Sequence, residues 1–103
     1  MKNFGDIQKM LKSAKDMQDR LQTEMAKLRV EGSSGGGMVT VTLDGHKTII
    51  SLKLDPEVVN KDDVDMLQDL IRAAFSDAAA KVDAELSQRL GALGAGMKVP
   101  GLF

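Results

Sequence analysis

Residues 32–45 read Gly32-Ser33-Ser34-Gly35-Gly36-Gly37-Met38-Val39-Thr40-Val41-Thr42-Leu43-Asp44-Gly45, and this stretch decides the fold. Its glycines stop the helix that precedes it. Strict alternation follows, with Val39, Val41 and Leu43 on one face of a strand over 38–43 and Thr40 and Thr42 on the other. Asp44-Gly45 is a strong two-residue hairpin signal. The return strand, 47–54, places Ile50, Leu52 and Leu54 on one face. With Asp44-Gly45 as the turn, Val41 faces Thr48 and Val39 faces Ile50. Both apolar sets then fall on the same side, so turn and pattern agree on the register. Upstream, Gly35-Gly36-Gly37 reads as a turn from a short strand at 30–34, giving three antiparallel strands.

Before the glycines lies a long helix. Asn3 can cap it, with Asp6 as an acidic capping-box partner. Phe4, Ile7, Leu11, Ala14, Gln18, Leu21, Met25 and Leu28 follow the alternating three–four spacing of a coiled-coil seam. Only Gln18 is polar, and one polar seam residue can fix register. At about 1.5 Å per residue the helix over 4–29 spans roughly 39 Å. The strands reach only about 20–26 Å. The apolar seam continues through the overhang, where a lone domain would leave it wet and a second copy would bury it. A homodimer is therefore expected, with Ile7, Leu11, Ala14 and Leu21 at its interface.

After the sheet, Asp55-Pro56 ends the last strand. Asn60 or Asp62 can cap a second helix, and Asp63 and Asp65 suit its positive N-terminus. Its apolar stripe runs through Val64, Leu67, Ile71, Ala74, Ala78, Val82, Leu86 and Leu90, joined by Leu70 and Phe75. Its alanines make part of it slim enough for close packing. Gly91, Gly94 and Gly96 are expected to end it. The fold class is α+β: a long N-terminal helix (1–30), a three-stranded antiparallel sheet (30–54), a long C-terminal helix (62–91) and a flexible tail (92–103), all in one domain of 103 residues.

Composition narrows the function. There is no Cys, so disulfides, Cys-based zinc sites and thiol chemistry are excluded. No apolar run approaches the roughly 20 residues of a membrane span. Three Phe with no Tyr or Trp argue against a surface that stacks successive bases. The net charge of −1 hides an asymmetry: residues 1–31 carry seven Lys/Arg against five Asp/Glu, and residues 55–90 carry four against nine. A strongly basic nucleic-acid binder is excluded overall, but a positive face on the first helix is not.

Features that suggest chemistry have plainer readings. His46, the only His, reads as a turn residue. The Gly-rich stretch lacks the lysine and Ser/Thr that open a helix in a phosphate-binding loop, and a strand follows it. Asp62-Asp63 and Asp16/Asp19 sit where caps and solvated faces put acids, without a nucleophile or metal cluster beside them. No enzyme activity, cofactor or metal is expected. Met10, Met17 and Met25 can offer an adaptable surface, or simply fill an interface. Lys9, Lys12 and Lys15 form a short basic run, with Arg20 on a similar side, which reads either as a solvated face or as a phosphate contact.

The whole layout resembles the YbaB/EbfC family of bacterial nucleoid-associated DNA-binding proteins. The resemblance is carried by Met10-Leu11-Lys12 and Ala14-Lys15-Asp16-Met17-Gln18, by Val30-Glu31-Gly32 with Gly35-Gly36-Gly37, and by Val39-Thr40-Val41-Thr42, Gly45 and Asp55-Pro56-Glu57. The run from Leu67 to Ala78 and the tail Gly96-Met97-Lys98-Val99-Pro100-Gly101-Leu102-Phe103 complete it. It implies a tweezer-like homodimer with protruding helices, a cytoplasmic and nucleoid location, double-stranded DNA as partner, and roles in nucleoid organisation and gene expression. The family supplies no base-reading motif to transfer. The DNA-contacting set Lys9, Lys12, Lys15 and Arg20 is therefore inferred from charge and position. The rival reading is a non-enzymatic adaptor for DNA-repair or replication proteins, docking through the Met-bearing helix and the apolar tail. A membrane-surface helix is disfavoured, because the polar face mixes signs and lacks Trp.

Overall fold

The structure, a computed structural model, describes residues 3–94. Helix α1 spans Asn3–Lys27, strand β1 Val30–Ser34, strand β2 Val39–Leu43, strand β3 Ile49–Leu54 and helix α2 Val64–Gly94. The three strands form one antiparallel sheet in the order β1-β2-β3. This is the expected α+β architecture. The expected tail begins three residues inside α2, which runs through Gly91, and residues 95–103 lie outside the described part.

The core forms where α2 crosses β1 and β2. Val39, Val41 and Leu43 alternate inward from β2 and meet Ala74, Ala78 and Val82 of α2, with Val58 closing one end. The small alanines let the helix lie close to the sheet. Gly32 of β1 faces Ala74 and Ala78, and a Cβ there would stand 2.5 Å from Ala74 O. Ser34 Oγ donates to Leu70 O at 2.6 Å, and Ser33 N–H donates to the Asp77 carboxylate at 3.1 Å, fastening β1 to the same helix. The glycine turn is as expected: Gly35, Gly36 and Gly37 have φ of 61°, 67° and 95°, the left-handed region that glycine enters freely.

The β2–β3 register differs from the expected one. Val41 pairs with Leu52 and Val39 with Leu54, not with Thr48 and Ile50, and the ladder is irregular beside Thr42 and Leu43. The connection is no two-residue Asp44-Gly45 turn but a loop over 44–48. The Asp44 carboxylate accepts the N–H groups of His46 at 2.8 Å and Thr48 at 3.0 Å, and so organises a longer tip. A shift of an even number of residues keeps the apolar residues on one face, which is why pattern alone did not distinguish the two registers.

The cap of α2 also differs. Asp63 Oδ1 accepts the Met66 N–H at 3.2 Å, while Asn60 accepts from Asp62 in the preceding turn. Capping belongs to the acid directly before the first helical residue.

Candidate nucleic-acid interface

Helix α1 projects as an arm. Every residue from 4 to 24 is exposed, and burial begins only at Met25 and Leu28. The molecule extends 74 Å along its long axis, with a radius of gyration of 19.8 Å. A compact chain of this length would have one of about 13 Å. Among the described residues, nothing covers the seam from Phe4 to Leu21: Phe4 is 72% and Leu11 65% exposed, and Ile7, Met10, Met17 and Leu21 are exposed as well.

Lys9, Lys12, Lys15 and Arg20 all lie exposed on this arm. At about 100° per residue, Lys9, Lys12 and Arg20 fall on the side opposite the apolar seam, with Lys12 and Arg20 to either side of Lys9, and Lys15 lies on the seam's flank. The four are therefore a broad band rather than one stripe, covering about 16 Å of helix from Lys9 to Arg20. Sequence reasoning overlooked Lys27. It lies seven residues beyond Arg20, which returns it to the same face, and that spacing was the available signal.

Several of the body's cations are paired where the arm's are not. In the body, Lys47 pairs with Asp83 at 2.9 Å, Arg72 with Asp69 at 3.3 Å, Lys81 with Asp77 at 3.1 Å and Arg89 with Glu85 at 3.2 Å. Among the described residues, Lys9, Lys12, Lys15, Arg20 and Lys27 form no ion pair. For Lys12 and Lys15, part of the reason is order. Lys12/Asp16 and Lys15/Asp19 have the base first at a four-residue spacing, the weaker orientation on a helix. The arm thus presents available cations, whereas those four body cations are bound to carboxylates.

Two carboxylates are held below their ordinary value of 3.8. Asp44 is lowered chiefly by the Thr48 N–H, against an opposing effect of burial. Asp77 is lowered chiefly by the Ser33 N–H and then by Lys81. Both serve the scaffold. His46 sits exposed at the hairpin tip and only its backbone N–H is engaged. Among the described residues, no three His, Asp or Glu side chains cluster to hold a metal, and no helix is long and apolar enough to cross a membrane.

Comparison with known proteins bears on the family and the fold. The model of the YbaB/EbfC DNA-binding family matches residues 1–97. A nucleoid-associated protein of Xylella fastidiosa is 46% identical over 102 residues, covering 96% of this chain and 94% of the relative. One from Xanthomonas campestris pv. campestris is 46% identical over 99 residues, covering 93% and 92%. Among solved structures, an uncharacterized protein of Helicobacter pylori superposes with a TM-score of 0.73 at 21% identity, over 87% of this chain and 95% of that one. That likeness concerns the fold.

Proposed function

Because this chain belongs to the YbaB/EbfC DNA-binding family, we propose that it is a non-enzymatic nucleoid-associated protein: a homodimer that grips duplex DNA mainly through backbone phosphates, organising the nucleoid and influencing gene expression. The observation that carries this reading is the arm itself, a projecting helix whose exposed Lys9, Lys12, Lys15 and Arg20 are free of carboxylate partners among the described residues. With a net charge of −1, affinity has to come from this local field rather than from the whole molecule. Two arms in a dimer double the contacts.

The second copy packs on the apolar seam at Ile7, Leu11, Ala14 and Leu21. A rival surface exists. Helix α2 covers β1 and β2 but leaves the core-side residues Ile49 and Leu52 of β3 exposed. Mutation separates the two surfaces, as argued in the Discussion.

Fluorescence anisotropy on duplex DNA over a salt series, with mass by light scattering, tests the reading. Binding by a dimer that weakens steeply with salt, and its loss in the Lys9→Glu, Lys12→Glu, Lys15→Glu triple variant, is the expected result. Undiminished affinity in a folded triple variant refutes the residue assignment. A protein that ignores all duplexes at low salt favours an adaptor instead, a role to which the exposed Met10 and Met17 of the arm lend themselves.

A further inference from the structure

Among the described residues, two polar contacts tie the arm to the body, and the shorter of them lies at the β2–β3 hairpin tip. Met25 O belongs to the last turn of α1 and accepts the Leu28 N–H at 3.3 Å, which leaves it room for a second donor. Gly45 N–H, at the tip, donates to it at 2.7 Å. The approach is so close that a Cβ on Gly45 would stand 2.8 Å from both Met25 Cα and Met25 O. This contact, rather than a turn conformation, explains the glycine, because the left-handed residue of the loop is Lys47, with φ 63°. Lys47 is also the only non-glycine residue with positive φ among those described. Its ammonium reaches across to Asp83 of α2 at 2.9 Å. The tip is therefore tied on one side to the end of the arm and on the other to the long helix of the body. A lesser tie, Arg89 to Glu24 at 3.7 Å, joins arm and α2 directly.

We infer that the hairpin tip is the latch that sets the direction of the basic arm, with Gly45 and Lys47 as positioning residues for DNA binding. The inference rests on the DNA-gripping reading for its consequence, but not for its geometry. From Met25 to Lys9 the arm is about 24 Å long, so a tilt of about 10° at the latch moves Lys9 by about 4 Å. A displacement of that size breaks direct contact with a phosphate oxygen. Two arms that must straddle one duplex are doubly sensitive to it.

The absence of cysteine permits clean labelling. Gln8→Cys on the arm and Ser76→Cys on α2, both exposed positions, take spin labels. The labelled chain is mixed with an excess of unlabelled protein so that distances within one chain are read. Gly45→Ala and, separately, Lys47→Gln are compared with the parent by this distance, by DNA anisotropy, by light scattering and by thermal unfolding. Lys47→Gln inserts nothing into the contact and keeps the proposal testable should Gly45→Ala fail to fold. The expected result is a shifted or broadened distance distribution together with DNA binding weakened about tenfold or more, at unchanged mass. An unchanged distance in folded variants overturns the latch. So does a shifted distance with full DNA affinity, because direction would then not govern the grip. If the parent itself binds no DNA, the DNA-gripping reading fails, while the distance still decides whether the tip holds the arm.

Discussion

Gly32 of β1 and Ala78 of α2 meet backbone to backbone: a Cβ on Gly32 would lie 2.6 Å from Ala78 Cα. The contact lets α2 settle onto the sheet closely enough for Ala74, Ala78 and Val82 to seal against Val39, Val41 and Leu43. The chain holds its one small core together through the smallest side chains it has.

Gly32→Ala is accordingly expected to destabilise the fold by about 3 kcal/mol or more, because the added methyl meets helix backbone that cannot rotate away. Urea unfolding measures it. A change within about 0.5 kcal/mol, the size of an ordinary surface substitution, would refute the close-packing account.

Leu43 is fully buried, whereas Leu11 is 65% exposed. Leu43→Ala should therefore cost about 3 kcal/mol through lost burial and the cavity left behind. In a lone chain Leu11→Ala would stay within about 0.5 kcal/mol. A larger loss at Leu11 that grows on dilution reports a second copy on the seam.

Charge placed on each apolar surface separates the two candidate interfaces. Ile7→Glu with Leu11→Glu should yield monomers by light scattering, and Leu52→Glu should leave the mass unchanged. The reverse pattern would move the interface to the face of β3.

The salt dependence follows from the number of phosphates contacted. Four phosphates per dimer predict a log–log slope near about −3.6. Lys27→Ser, removing one cation from each arm on the face shared by Lys9 and Arg20, should weaken binding uniformly across sequences and flatten the slope by up to about 1.8. An unaltered slope would exclude Lys27 from the contact.

Acid stability should depend on Asp44 and Asp77. Their folded pKa values lie below the ordinary 3.8, so the unfolded chain binds protons at the higher pH. The stability they contribute is complete above that value and is lost as pH falls from it through the lower folded values. Asp44→Asn should lower stability at neutral pH and flatten the acid limb of the stability profile. An identical limb in the variant would remove Asp44 as a cause.

The sequence by itself determined the order and type of the elements, because helix and strand periodicities are local; the glycines at 35–37 mark the turn between β1 and β2, whereas α1 ends at Lys27, ahead of Gly32, which lies within β1. It also identified the inward face of β2, since Val39, Val41 and Leu43 alternate with threonines. The register of β3 was decided only in three dimensions. Shifts by an even number of residues look alike in the pattern, and the Asp44 carboxylate selected a longer loop. Gly45 shows the same limit: its neighbour Asp44 suggested a turn, but what requires glycine is Met25, twenty residues away in sequence. The lysines of α1 were legible as charges. The pairs Arg72–Asp69, Lys81–Asp77 and Arg89–Glu85 lie three or four residues apart on α2, so helical spacing alone suggests them, whereas Lys47–Asp83 joins the loop to α2 and exists only because the fold brings the two side chains within reach.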